Sequence, residues 1–118
     1  GIEYVYVHVE APDECGHQGD VLGKVHAIER IENEIVRPLL TYLEDLKKST
    51  GEDFRFLLLP DHPTPLDIRT HTSDPVPFIL YDSTKYVSSG VTKYDEFSCN
   101  ETGVFYPTGP SLFESFIK

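Results

Sequence analysis

The stretch FRFLLLPDHPTPLDIRTHT, residues 54–72, joins an apolar run to a cluster of aspartates, histidines and prolines. Residues 54–59 are apolar apart from one arginine and end at a proline, which is typical of a buried β-strand. Asp61 and His62 follow at once, and His71 comes shortly afterwards. Open α/β sheets bind ligands beyond the carboxyl ends of their strands. The stretch therefore predicts a strand that leads directly into a binding site.

A similar arrangement occurs near the start of the chain. Residues 3–10, EYVYVHVE, alternate valine with tyrosine and histidine, and both sets favour β structure. This pattern predicts a strand covered on both faces. The polar, glycine-containing segment APDECGHQGD, residues 11–20, then predicts a loop. Asp13 and His17 in this segment are four residues apart, close enough to share one ion on a turn or a short helix.

A long helix is predicted between these two strands. Asp20 has the position of an N-cap, apolar residues follow at helical spacing, and Gly51 is a plausible left-handed C-cap. Pro38 should either kink this helix or lie in the first turn of a second one. Further along, residues 76–81 predict a third strand, and Pro110 marks the start of a C-terminal helix.

The order strand, helix, strand predicts a βαβ unit, whose two strands are parallel and joined by a right-handed crossover. We therefore expect an α/β fold with a mostly parallel sheet flanked by helices. No repeat or second domain is apparent, so residues 1–118 are predicted to form a single segment. The pairs Asp13/His17 and Asp61/His62 would then lie at the same edge of the sheet.

These residue types suggest a metal site. A carboxylate combined with imidazole suits Mn²⁺ or Zn²⁺ better than Ca²⁺, which prefers oxygen ligands alone. Asp61 and His62 are adjacent, so they can surround one ion or lie between two, and His71 is a fifth candidate. Each feature also occurs by chance, and a histidine such as His71 is often an ordinary surface residue. The metal hypothesis depends on both pairs being at one edge.

Composition limits the remaining function classes. The formal net charge of −10 argues against a nucleic-acid partner, which would require a basic surface. No apolar stretch has the roughly 20 residues needed to cross a membrane. Cys15 and Cys99 have no zinc or disulfide spacing, which favours reduced thiols and a cytoplasmic location. The chain has no methionine and begins inside a predicted strand, so we expect it to be the C-terminal part of a longer chain.

Three segments, HVEAPDECGHQGD (8–20), AIERIENEIV (27–36) and LLLPDHPTPLDIRTHTSDPVPF (57–78), resemble a known family. They are similar to the C-terminal part of the archaeal-type, cofactor-independent (2,3-bisphosphoglycerate-independent) phosphoglycerate mutases, two-metal enzymes of the alkaline phosphatase superfamily. The resemblance runs over nearly the whole chain and is most specific across residues 61–78. Phosphopentomutases and phosphatases of that superfamily share the Asp-His and His ligands but look less like the Pro-Val-Pro-Phe ending.

The resemblance implies a role for each candidate residue. Asp13, His17 and His71 would bind one divalent ion, and Asp61 and His62 would bind a second. The ions would be manganese or zinc, with magnesium as a further alternative. The second ion also needs an aspartate and a nucleophilic Ser or Thr from the start of the family's full chain. We therefore expect at most one ion in this chain and no catalytic nucleophile.

The resemblance also implies the reaction. The parent protein would be an isomerase of glycolysis that interconverts 3- and 2-phosphoglycerate, and this chain alone would be inactive. Two alternatives stay open. One is another phosphotransferase of the alkaline phosphatase superfamily, and the other is a non-enzymatic binding domain with vestigial ligands.

Overall fold

The fold was analysed in a computed structural model that describes residues 4–85 and 89–118. The chain divides into two compact units. The first combines the residues up to Glu44 with Thr64–Thr72, and the second combines Asp45–Pro63 with Ser73–Lys118. The regular elements are, in chain order, α1 (Ala11–Gln18), α2 (Val21–Ile31), a π-helical turn (Glu32–Val36), α3 (Arg37–Thr50), β1 (Arg55–Leu58), β2 (Ile79–Asp82), α4 (Glu96–Asn100) and α5 (Gly109–Ile117).

The strand predicted over residues 3–10 is wrong for residues 4–10, which have no regular secondary structure; residue 3 lies outside the described residues. The apolar side chains of this segment are exposed, with Val5 at 68% and Tyr6 at 70%. A strand requires a neighbour for its backbone hydrogen bonds, and no described strand pairs with this segment. The alternating sequence therefore favours β structure, but no strand of the described residues pairs with this segment.

The loop predicted over residues 11–20 is also wrong, because most of it forms helix α1. Pro12 lies in the first turn, where its missing N–H costs nothing, and Asp13 and Glu14 favour the positive end of the helix dipole. Gly19 ends the helix with a left-handed φ of 67°. The segment is polar in composition, but Pro12 and Gly19 are residues that favour the start and the end of a short helix.

Helices α2 and α3 confirm the predicted helical region. The Asp20 side chain accepts a hydrogen bond from the Gly23 N–H at 2.9 Å, so this aspartate is the N-cap of α2. Pro38 is the second residue of α3, as one of the two predictions for it required. The π-helical turn lies immediately before this proline, where the ring would otherwise clash with the carbonyl four residues earlier. Gly51 has the predicted left-handed conformation, with φ of 76°.

The second unit contains a two-stranded antiparallel sheet. Strand β1 confirms the strand predicted at 54–59, and Arg55 lies opposite Asp82 in the ladder. Strand β2 starts three residues later than predicted, after Pro77, which has no N–H to donate to a ladder. The predicted parallel pairing is not confirmed, because the sheet of the described residues consists of these two antiparallel strands.

Helix α5 begins as predicted with a proline in its first turn. Thr108 and Ser111 form a reciprocal capping box at its start. Leu112 on this helix is 5% exposed, and together with Pro77 it provides the buried apolar side chains of the described residues. Within residues 4–85 and 89–118, every helix is too short or too polar to cross a membrane.

Candidate metal centre

Helix α1 places Asp13 and His17 one turn apart on the same face. Residues four apart on an α-helix lie one above the other. His17 Nε2 accordingly lies 3.3 Å from Asp13 Oδ1, and both side chains are partly exposed. The proximity predicted from their spacing is therefore present, on a helix rather than on a loop.

His71 joins this pair within the first unit. Its Nε2 lies 3.0 Å from Asp13 Oδ1 and 3.1 Å from His17 Nε2. The two imidazole rings are tilted against each other, with centroids 5.0 Å apart. One carboxylate oxygen and two ring nitrogens thus converge on a single point, although His71 is far from the other two in sequence. We call Asp13, His17 and His71 the candidate triad.

The spacing of these atoms fits a shared metal ion. Two ligands bonded at about 2.1 Å lie about 3.4 Å apart around a tetrahedral ion. Neighbouring ligands at the same bond length lie about 3.0 Å apart around an octahedral ion. The observed separations of 3.0, 3.1 and 3.3 Å lie within this interval. The donor set of one carboxylate and two imidazoles is also one that Zn²⁺ and Mn²⁺ accept.

The backbone carbonyl of Arg69 orients His17. His17 Nδ1 lies 2.9 Å from this oxygen, and a carbonyl only accepts, so Nδ1 donates the hydrogen. The neutral ring then presents its Nε2 lone pair toward the other two members of the triad, which is the usual support of a metal-binding histidine. Arg69 has a φ of 57°, an uncommon conformation for a residue with a side chain. Such strain often accompanies functional sites.

Thr64 acts on the carboxylate of the triad. Its hydroxyl donates a hydrogen bond of 2.6 Å to Asp13 Oδ1. This hydrogen bond lowers the pKa of Asp13 below its usual value, against the opposing effect of burial, and the imidazoles of His17 and His71 lower it further when they are protonated. Asp13 is therefore ionised at neutral pH, which is the state that binds a cation.

Asp61 and His62 lie in the second unit, a few residues after β1, as their position in the sequence predicted. His62 Nε2 is 3.1 Å from Asp61 Oδ2, and the His62 N–H donates to Asp61 Oδ1 at 2.9 Å. The imidazole and the carboxylate of this pair thus face each other. Their separation equals that of two ligands on one ion.

Sequence reasoning missed the contacts that Thr64 and the Arg69 carbonyl make with the triad. Threonine and a backbone carbonyl are too common to mark a site by themselves. Their importance depends on long-range contacts with α1, which no local pattern reveals. The available signal was their position between Asp61 and His71, inside the stretch already singled out.

Comparison with protein families agrees with this geometry. A model described as "Metalloenzyme superfamily" matches residues 2–116. The chain belongs to the Metalloenzyme superfamily. Membership of this superfamily implies that the protein binds metal, in accord with the carboxylate and imidazole groups that converge in the candidate triad.

Several curated relatives within the Metalloenzyme superfamily are similar to nearly the whole chain. A 2,3-bisphosphoglycerate-independent phosphoglycerate mutase of Methanothrix thermoacetophila is 46% identical over 98% of this chain. A probable enzyme of the same name from Geobacter sulfurreducens is 41% identical over 98% of the chain, and one from Aeropyrum pernix is 37% identical over 82%. The chain spans only 28% of the length of the first two and 22% of the third. No solved structure matches the chain significantly.

Proposed function

We propose that this chain is the metal-binding segment of a 2,3-bisphosphoglycerate-independent phosphoglycerate mutase. The parent protein would be a cytoplasmic isomerase of glycolysis acting on 3- and 2-phosphoglycerate. The observation that carries the proposal is the convergence of Asp13, His17 and His71 in a chain 46% identical to such mutases. Residues 1–118 would act as one segment of an alkaline-phosphatase-like α/β domain whose sheet is mostly parallel.

We assign the candidate triad to one divalent ion, Mn²⁺ or Zn²⁺, with Mg²⁺ as a further alternative. All three protein ligands of this ion belong to the first unit, so the chain alone should bind it. Asp61 and His62 are assigned to a second ion. Two protein ligands are fewer than such sites use, so the second ion should bind this chain poorly.

The chain's own residues would hold and orient the metal ligands. Asp13 supplies the negative charge, His17 is held in one tautomer by Arg69, and His71 closes the triad. Bound divalent ions would supply positive charge that stabilises the oxygens of a phosphoryl group. We assign no nucleophile to this chain, so the phosphoryl-transfer step would depend on residues of the parent protein outside it.

Calorimetric titration with Mn²⁺ and with Zn²⁺ tests the ligand assignment. The chain should bind close to one ion, and His71→Ala should abolish this binding by removing one of three ligands. His26→Ala is the matched control, because His26 is an exposed histidine on α2 outside the triad. Equal binding by the wild-type chain and the His71→Ala variant would contradict the assignment, and would favour vestigial ligands.

A mutase assay tests the reaction. The chain alone should not convert 3-phosphoglycerate to 2-phosphoglycerate, whereas the parent protein that contains it should. Conversion by the chain alone would show that it contains a nucleophile, contrary to the proposal. A parent protein that bound metal but acted on another phosphate ester would identify a different phosphotransferase.

A further inference from the structure

We infer that Thr64 is a positioning residue for the triad, and that Lys24 and Gly16 hold it in place. This inference rests on the proposed metal site. It concerns Thr64 because this residue contacts a proposed ligand directly and is 5% exposed. It is the buried polar residue of the described part of the chain.

The hydroxyl of Thr64 acts on the oxygen at the centre of the triad. It donates to Asp13 Oδ1 at 2.6 Å, and the same oxygen lies 3.0 Å from His71 Nε2. An ionised carboxylate oxygen has two lone-pair directions. Thr64 can therefore occupy one direction, while an ion shared with His71 would take the other. Such a hydrogen bond fixes the rotation of the carboxylate, as supporting residues do in established metal sites.

Lys24 on α2 restrains the backbone of Thr64. Its Nζ donates to the Thr64 carbonyl at 2.7 Å, and the bond is partly buried. A charge-assisted hydrogen bond shielded from water is stronger than an exposed one. The backbone position of Thr64 is thus tied to α2, whereas its hydroxyl reaches α1.

Gly16 on α1 permits the close approach. A Cβ atom at this position would lie 2.6 Å from the Thr64 carbonyl oxygen and 2.8 Å from its Cγ2. Only glycine leaves room for this contact, and Gly16 is buried. It is three residues after Asp13, so the same helix face carries both the proposed ligand and the surface on which its supporting residue packs.

The three contacts act on different parts of one residue. Lys24 holds the carbonyl, Gly16 accommodates the methyl group, and the hydroxyl donates to Asp13. Thr64 is therefore preorganised before a cation arrives. Loss of the hydroxyl should weaken metal binding even where the fold is intact.

Calorimetric titration with Mn²⁺ tests the inference on the full 118-residue chain. Thr64→Val keeps the shape of the side chain but removes the donor, and should weaken Mn²⁺ affinity about 10- to 100-fold. Thr64→Ser restores the hydroxyl and should bind within a few-fold of wild type. A role in packing alone predicts the opposite order, since valine preserves the methyl contact with Gly16 and serine does not.

Thr84→Val is the matched control. Thr84 also donates its hydroxyl to a carboxylate at 2.6 Å, but its acceptor is Asp82, which is outside the proposed site. This variant should leave Mn²⁺ affinity unchanged. Lys24→Met should lower Mn²⁺ affinity in the same direction as Thr64→Val. Thermal unfolding without added metal verifies that each variant is folded.

The outcomes separate the inference from the proposal on which it rests. Wild-type affinity in the folded Thr64→Val variant would overturn the role of Thr64 while the metal site stands. A similar loss in both threonine variants, without rescue by serine, would also overturn it. If the wild-type chain binds neither Mn²⁺ nor Zn²⁺, the proposed metal site fails, and the inference fails with it.

Discussion

Replacing Gly16 with alanine separates helix preference from packing, because the two effects have opposite signs. Gly16 lies inside α1, where alanine is normally favoured over glycine by up to about 1 kcal/mol. If packing did not matter, the variant would be more stable than wild type. The contact with Thr64 predicts the reverse.

The magnitude follows from the geometry at Gly16. Its added Cβ would lie 2.6 Å from the Thr64 carbonyl oxygen, whereas ordinary contact begins at 3.4 Å. The backbone must therefore yield by 0.8 Å, because the neighbouring atom belongs to the main chain and not to the end of a flexible side chain. Overpacking costs about 1–3 kcal/mol, and an overlap with a backbone atom, which no side-chain rotation can relieve, lies in the upper part of that range, about 2–3 kcal/mol. After the gain in helix preference, we expect a net loss of about 1–2 kcal/mol in the free energy of unfolding.

The same displacement should affect the metal site. If it is transmitted along the hydrogen bond from Thr64 to Asp13, the separation rises from 2.6 Å to roughly 3.4 Å. Hydrogen bonds between two oxygens extend only to about 3.0 Å, so this one would be lost. We therefore expect Gly16→Ala to weaken Mn²⁺ binding as well as stability.

Thermal unfolding followed by circular dichroism, with and without Mn²⁺, measures both effects. The expected loss corresponds to a Tm lower by roughly 4–8 °C, at about 4 °C per kcal/mol for a chain of this size. Gly109→Ala is the control, because a Cβ added there would have no atom within 4 Å apart from its chain neighbours and the nearby backbone of its own helix. It should shift Tm little or raise it. An equal or higher Tm for Gly16→Ala would refute the packing argument.

Two further predictions concern Arg69 and Asp82. Because Arg69 has a φ of 57°, the Arg69→Val variant should be about 1–2 kcal/mol less stable than the Arg69→Gly variant and should bind Mn²⁺ more weakly. Both variants retain the backbone carbonyl that orients His17. Equal denaturant midpoints and equal Mn²⁺ affinities would contradict this prediction. Hydrogen bonds from Thr84, and then Arg55, lower the pKa of Asp82 from 3.8 to about 2. A lowered pKa contributes stability that is complete above pH 3.8 and is lost as the pH falls toward 2, so Asp82→Asn should flatten the Tm-against-pH curve in that window and not above it.

The helices were the most predictable part of the fold because their signals are local. The Asp20 N-cap, the Gly51 C-cap and the proline in the first turn of α5 each act within a few residues. The loop prediction for residues 11–20 was wrong because it relied on polar composition, although Pro12 and Gly19 already had the positions of helix ends. Greater weight on these terminal residues would have identified α1.

The sheet was less predictable because strand pairing depends on distant residues. Residues 4–10 have the alternation of a buried strand, yet Val5 and Tyr6 are largely exposed. Alternation records what a segment prefers, and it does not specify which strand will pair with it. Residues 55–58 have such a partner in Ile79–Asp82, so the prediction for that segment was confirmed.

The candidate site shows how the two kinds of information combine. The spacing of Asp13 and His17 brings two donor atoms together on any helical turn, so this half of the triad was predictable even though the loop prediction was wrong. Thr64 approaches α1 at the small Gly16 and is held by the Lys24 hydrogen bond, and the left-handed Arg69 directs its carbonyl to His17. Each of these features is an ordinary residue in the sequence and acquires its role only through a contact across the fold. Local spacing therefore identified donor atoms, whereas their convergence on one point depends on supporting residues that have no pattern of their own.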